Sequence, residues 1–282
     1  MKSFKDKLVL ITGGSSGIGL ALAQQLTKEG ARVWVLARDK KKLNLALEKL
    51  SQNKINPEQE IGTIRGDITD KKQINSILET WIKTHGAPDL LINSAGVAHP
   101  GYFNELDTEI FEWTMQVNFY GTVFVTKTIV PYMISRGSGH IINISSEAGF
   151  IGVFGYTAYG ASKYAVRGFS DALRSELKPL GISMSIVFPP DTDTPQLTYE
   201  NQYKPFETKA IAGTKKPMSA DKVAAIILKQ VRKNNYMIIP SFEGRIFYRL
   251  SALLKRGTYV IIDFMVRSAQ KKRYKQISKQ LD

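Results

Sequence analysis

The segment Tyr159-Gly160-Ala161-Ser162-Lys163 sets a phenol and an ammonium four residues apart. On a helix such residues share one face, so the ammonium lies beside the phenol and favours its ionised form. A free tyrosine titrates near pH ~10 and is a poor acid at neutral pH until a cation shifts it. Ser146 stands thirteen residues before Tyr159, where a strand end can aim its hydroxyl at a substrate carbonyl. A proton donor, its tuner and a carbonyl anchor are the groups that reduction of a ketone needs. Tyr156 is a rival phenol, but its i+4 neighbour is Gly160, so no ammonium supports it.

These groups need a frame. Leu8-Val9-Leu10-Ile11-Thr12 is an apolar run, Gly13-Gly14-Ser15-Ser16-Gly17-Ile18-Gly19 a glycine turn, and Leu20, Ala23 and Leu26 open a helical pattern. Strand, turn and helix in that order form a dinucleotide site: glycines admit the pyrophosphate to the backbone and the helix N-terminus offers N–H donors. The second strand, Ala31 to Ala37, ends at Arg38, with Lys40, Lys41 and Lys42 following. A basic residue at that strand end accommodates a ribose 2′-phosphate, so the expected cofactor is NADP(H). Asp39 is placed to cap the next helix. Further strands are expected at 61–65, exiting through Asp67 and Ile68, at 89–93, at 140–144, at 183–188 and at 237–240. Between them fall helices near 109–135, 158–180 and 221–233. The first carries Asn118, a poor mid-helix residue whose presence points to a task; Gly121 nearby fits close packing. The alternation predicts an α/β fold, a Rossmann-type doubly wound parallel sheet of about seven strands flanked by helices. It forms one catalytic domain over residues 1–240, with a substrate lid near 196–216 and a C-terminal extension over 241–282.

Thr12-Gly13-x-x-x-Gly17-Ile18-Gly19, Asn118, Ser146 and Tyr159-x-x-x-Lys163 together resemble the short-chain dehydrogenase/reductase family, over roughly residues 5 to 240. The resemblance implies a catalytic set of Asn118, Ser146, Tyr159 and Lys163, with no metal. In it Tyr159 gives the proton, Ser146 orients the carbonyl, Lys163 holds the ribose and lowers the Tyr159 pKa, and Asn118 with a water links Lys163 to solvent. It also implies cofactor contacts from Gly13, Ser15, Ser16, Gly17, Ile18, Gly19, Arg38, Lys42, Asp67, Ile68, Asn93, Ala95, Gly96, Tyr159, Lys163, Pro189, Thr192 and Thr194. Asp67 and Ile68 would meet the adenine; Asp67 capping the following turn is compatible with that. Two departures stand out. Asn93-Ser94-Ala95-Gly96 has serine where asparagine is commoner, and Pro189-Pro190 replaces the usual Pro-Gly, fixing φ and removing an N–H. The stretch Pro189-Pro190-Asp191-Thr192-Asp193-Thr194-Pro195 resembles that of the 3-ketodihydrosphingosine reductases, a lipid-reducing branch of the family. The same stretch also reads as a rigid proline-bounded loop. The implied substrate is a lipid-like ketone. Another lipophilic ketone or alcohol, such as a steroid or retinoid, stays open. A regulatory protein without turnover is a third reading, against which the four matched groups weigh. The long helices are where relatives of the family form homodimers or homotetramers.

The chain has 282 residues, 43% of them hydrophobic, enough for a large core. It has no cysteine, which excludes thiol chemistry. His85, His99 and His140 lack metal-ligand spacing and read as loop or strand-end residues. The first residues lack an apolar leader core, and no run of eighteen apolar residues exists, so the expected location is cytoplasmic. Net charge is +14, with no nucleic-acid motif. Much of that charge lies at the C-terminus. From Phe242 to Val266, Ile246, Phe247, Leu250, Leu253 and Leu254 recur at helical spacing among Arg245, Arg249, Lys255 and Arg256. Arg267, Lys271, Lys272, Arg273 and Lys275 follow. An apolar helix with a basic flank is the pattern of a peripheral membrane helix. A helix packed on its own domain or on a partner subunit has the same pattern.

Overall fold

The computed structural model describes residues 1–213, 216–254 and 257–281, with side chains through Tyr274. Thr214, Lys215, Lys255, Arg256 and the side chain of Lys275 lie outside the described residues. The first half of the chain runs β1 (Leu8–Thr12), α1 (Gly17–Lys28), β2 (Arg32–Ala37), α2 (Lys40–Ser51), β3 (Ile61–Arg65), α3 (Lys71–His85), β4 (Leu90–Asn93), α4 (Thr108–Met115), α5 (Gly121–Arg136) and β5 (Gly139–Ile144). The second half runs α6 (Thr157–Leu177), β6 (Ile182–Val187), β7 (Thr192–Asp193), α7 (Pro195–Tyr203), α8 (Phe206–Ala212), β8 (Met218–Ser219), α9 (Ala220–Arg232), β9 (Met237–Ile238), α10 (Phe242–Leu254) and α11 (Gly257–Leu281).

β1 and β4 are buried along their whole length. That is why they read as unbroken apolar runs: helices cover both faces of a parallel sheet. Val9 and Ile11 pack with α1 and α9 through Leu22, Leu26, Val223 and Ile227. Leu8 and Leu10 turn the other way, toward Ile74 and Leu78 of α3 and Val125 and Ile129 of α5. The main sheet has seven strands in the order β3-β2-β1-β4-β5-β6-β9, all parallel. Chain order reverses between β1 and β4, so the crevice that binds ligands in such sheets opens at their carboxyl ends. Thr12 pairs in register with Leu36 and Asn93, bringing the exits of β1, β2 and β4 to one edge.

Three stretches differ from the sequence expectation. The helix over 109–135 is interrupted between α4 and α5 by a π turn, Gln116–Tyr120, centred on Asn118. The aperiodic lid holds two short helices, α7 and α8, anchored by β7 pairing with β8. The C-terminal extension is two helices: α11 starts at Gly257 and continues through the basic segment. A glycine is a poor interior residue for one long helix. α10 seats Phe247 and Tyr248 against the Phe150 and Phe188 cluster, and Ala269 of α11 is buried.

Candidate active site

Gly13 adopts φ 68°, and a side chain there would come within 2.6 Å of the Ala95 backbone. Gly17 adopts φ 53°, with Thr194 beside it. Only glycine serves such positions without strain. Thr12 Oγ1 accepts the amides of Ser94 and Ala95 at 3.2 and 3.3 Å, tying the β1 and β4 exits together. Ser16 caps α1 with no side-chain hydrogen bond to its first turn. The result is a backbone-lined cradle at a helix N-terminus, which any Cβ would fill and which matches a pyrophosphate.

Ser146 follows β5, and Tyr159 and Lys163 project from α6 into the same cleft. The Lys163 ammonium lies 5.5 Å from the Tyr159 ring centre and donates to the Ile144 carbonyl at 3.0 Å. Ser145, the alternative serine, is buried and donates to the Lys163 carbonyl at 3.0 Å, a fastening between β5 and α6. Asn118 is buried; its amide donates to the Val97 carbonyl and Ser162 Oγ, both at 2.9 Å, and accepts the Val97 N–H at 2.8 Å. The side chain therefore pins the π turn to the chain after β4. A Cβ added to Gly96 would approach Asn118 Oδ1 and Lys163 Nζ within 3.3 and 3.4 Å. Asn118, Gly96 and Lys163 thus converge.

The cleft encloses about 1280 Å³, more than the ~300–1,000 Å³ of a typical single-ligand pocket. Gly13, Ser16, Gly17, Ile18, Ala95, Gly96, Ser146, Tyr159, Lys163, Pro189, Thr192 and Thr194 all line it. Thr194 caps α7, accepting the Leu197 N–H at 3.3 Å. The remaining expected cofactor residues, Ser15, Gly19, Arg38, Lys42, Asp67, Ile68 and Asn93, are not among the residues lining the cleft. Gly19 abuts the Gly13 carbonyl, Ile68 packs on Gly121, and Lys42 is exposed on α2, where Asp39 caps the helix. The Asn93 side chain is buried, donating to Thr126 Oγ1 and Asn143 Oδ1. Arg38 is exposed, 3.4 Å from Asp67. Burial opposes the Asp67 charge, but hydrogen bonds from Thr69 and the Arg38 cation hold its carboxyl below the usual range.

The sequence from residue 7 to 204 matches the family model described as short chain dehydrogenase. The chain belongs to the short-chain dehydrogenase/reductase family. It is 40% identical to a 3-dehydrosphinganine reductase of Danio rerio over 246 residues, 87% of this chain and 73% of that one. It is 41% identical to a 3-ketodihydrosphingosine reductase of Dictyostelium discoideum over 249 residues, 83% of this chain and 74% of that one. Among solved structures it resembles ElxO with NADP bound, at a TM-score of 0.73 and 28% identity, covering 83% of this chain and 96% of that one. As a member of this family the chain is an oxidoreductase that uses NADP(H), and the glycine cradle fits that group.

The electrostatics of this short-chain dehydrogenase correct one expectation. The Tyr159 phenol stands above its ordinary value, not below it. Burial pushes the phenol up, the charge of Glu200 adds to that, and hydrogen bonding with Ser146 and Gln196 only partly opposes it. Burial also pulls Lys163 down to about 8. Glu200, on α7, escaped the sequence reading, as did its neighbour Gln196. Both line the cleft, and Glu200 accepts from the Tyr156 hydroxyl at 2.6 Å and from Gln196 Nε2 at 2.8 Å. Tyr156, set aside as a rival acid, is thereby engaged. A lone carboxylate in an aperiodic stretch carries no mark of its destination.

The extension supplies the other unforeseen part. Ile246 and Leu250 of α10 and Ile262, Met265 and Val266 of α11 line the cleft and form an apolar part of its wall. Arg273, counted with the basic flank, donates to the Tyr102 hydroxyl at 2.9 Å and to the buried Glu207 carboxylate at 3.2 Å. It is a latch between α11 and α8. Their helical signal was legible; the surface they cover was not.

Proposed function

We propose that this enzyme reduces a long-chain 3-ketone of the 3-ketodihydrosphingosine kind, preferring NADPH to NADH. The observation that carries this is the continuity of the cleft, in which Ser146, Tyr159 and Lys163 open directly onto the apolar wall of α10 and α11. The two named relatives support the same substrate. Gly13, Ser16, Gly17, Ile18, Ala95, Gly96, Pro189, Thr192 and Thr194 would hold the cofactor, with Asp67 and Ile68 toward its adenine end. Bound there, the dihydronicotinamide supplies the hydride. Tyr159 donates its hydroxyl proton to the ketone oxygen, and Ser146 Oγ hydrogen-bonds and orients that oxygen. Lys163 stabilises the phenolate that the transfer leaves behind. Asn118 acts as a positioning residue, holding the π turn beside Gly96 and Lys163. Arg38, loosely paired with Asp67, is the group for a ribose 2′-phosphate.

The reading extends to the molecule's surroundings. Exposed Phe242, Leu253, Tyr259, Val260 and Phe264 surround the wall and support a peripheral seat on a membrane. Among the described residues no helix is long and apolar enough to cross one. Exposed Trp113 and Tyr120 support a homodimer or homotetramer built on α4 and α5.

The test is oxidation of NADPH, and separately NADH, with a long-chain 2-amino-3-ketone, a steroid ketone, a retinoid aldehyde and short-chain ketones. The expected result is the highest kcat/KM with the long-chain ketone and NADPH. A steroid or retinoid at equal rate would move the substrate class, and equal use of NADH would remove Arg38 from recognition.

A further inference from the structure

The cleft contains a carboxylate that the reduction itself does not use. Glu200 is 7% exposed and lines the cavity. Its carboxylate accepts hydrogen bonds from two neutral donors, the Tyr156 hydroxyl at 2.6 Å and Gln196 Nε2 at 2.8 Å. A carboxylate has about four acceptor sites, so capacity remains. Lys204, which caps the end of α7, bonds Asp191 at 3.1 Å, so burial still pushes the Glu200 carboxyl above its usual range although the Lys204 charge opposes that. Lys163 faces it from α6 but donates to the Ile144 carbonyl. The ring centres of Tyr156 and Tyr159 are 5.7 Å apart, so Glu200 stands one phenol away from the proton donor.

We infer that Glu200 is the anchor for a substrate ammonium, and that this cleft selects ketones bearing a protonated amine on the carbon next to the carbonyl. This rests on the function proposed above. A buried carboxylate is costly without a cation. In a 2-amino-3-ketone the nitrogen lies one carbon from the carbonyl. A ketone oxygen held by Ser146 and Tyr159 therefore brings the ammonium beside the Tyr156–Glu200 pair. Asp191, also on the cleft wall, adds negative potential from the far side of Lys204. The apolar wall of α10 and α11 takes the chain.

Two measurements on the full chain test this. In the first, kcat/KM with NADPH is compared for a long-chain 2-amino-3-ketone and its desamino analogue of equal length, in wild type and Glu200→Gln. Wild type is expected to prefer the amine, and the variant to lose about 10- to 100-fold of that preference, the size of a lost charge-assisted hydrogen bond. A ratio untouched by the substitution, or no preference in wild type, overturns the inference. An equal loss for both ketones makes Glu200 structural and also overturns it. In the second, dodecylamine and dodecanol are titrated calorimetrically into wild type with NADP⁺ present. Tighter binding of the amine is expected, and equal binding overturns the inference even if the variant fails to fold. This readout needs no turnover. Amine preference without ketone reduction would sink the proposed function alone; ketone reduction without amine preference would sink the anchor alone.

Discussion

At the scale of single residues, the cleft holds a phenol kept protonated by its surroundings. Burial and the Glu200 charge raise the Tyr159 pKa, so at neutral pH the group is a proton donor in the direction of ketone reduction. Tyr159→Phe removes the hydroxyl and keeps the ring against Tyr156. Cofactor binding, followed by nucleotide fluorescence, should survive while kcat falls by about 10²–10⁴-fold, the usual worth of a positioned acid. A near-normal kcat would assign the proton to another group. The i, i+4 spacing of Tyr159 and Lys163 and the glycine turn were legible because each is a local pattern with a fixed geometric meaning. Glu200 was not. Its role depends on Tyr156, forty-four residues upstream, and no spacing rule joins them. The direction of the Tyr159 shift was misread for the same reason: burial is a property of the fold.

At the scale of elements, strands were the most legible parts, since two-sided burial writes itself as a continuous apolar run. What the runs concealed were polar pairings between them. His140 of β5 is buried, with Nε2 2.9 Å from Ser185 Oγ on β6; Ser185 in turn donates to the Asn235 carbonyl at 2.8 Å. Sequence position made it look like an ordinary strand-end residue. Burial lowers its pKa from 6.5 to about 4, and Nδ1 has no partner among the described residues. Between those values the unfolded chain binds a proton that the folded chain refuses, so stability falls as pH drops from 6.5 toward 4. The loss should reach roughly 3 kcal/mol. His140→Leu should flatten the slope of melting temperature against pH over that window, and an unchanged slope would place the acid sensitivity elsewhere.

The α8–α11 latch belongs to the same scale. Burial opposes the Glu207 charge, but hydrogen bonds from Tyr102 and Arg273 hold its carboxyl below the usual range. Arg273→Leu would leave that carboxylate buried without its cation. α11 should then become sensitive to limited proteolysis, and KM for a long-chain ketone should rise more than kcat falls, since α11 forms part of the apolar wall. Adding Glu207→Gln should restore much of both. Equal damage to kcat and KM, with no rescue, would mean that the latch serves general stability rather than the wall.

For the whole molecule, the sequence left the basic, apolar tail between a membrane surface and packing on protein, either its own domain or a partner subunit. α11 has an inner and an outer face. Ile262, Val266, Ala269 and Arg273 recur at 4-3-4 spacing and face inward: the first two line the cleft, Ala269 is buried and Arg273 is latched. Val260, Phe264, Arg267 and Lys271 follow the same spacing on the opposite face. Val260 is 68% and Phe264 74% exposed, and Arg267 and Lys271 are exposed beyond them. α10 adds Phe242 and Leu253, 66% and 78% exposed, while Ile246 and Leu250 line the cleft. A surface that sinks apolar side chains below the headgroups while arginine and lysine meet them would place the mouth of the cleft where a lipid can enter from the bilayer. Arg273 is engaged inward, so the electrostatic share falls to Arg267, Lys271 and Lys272, at about 1 kcal/mol each near an anionic surface. Flotation with phosphatidylserine vesicles should show binding that weakens in high salt and in the triple glutamine variant of those residues. Val260→Ser with Phe264→Ser should weaken the part that salt leaves. Both variants spare the inner face, so melting temperature should hold. Vesicle binding unchanged in both would turn the outer face toward a partner subunit, and light scattering would then show the serine variant losing its oligomer.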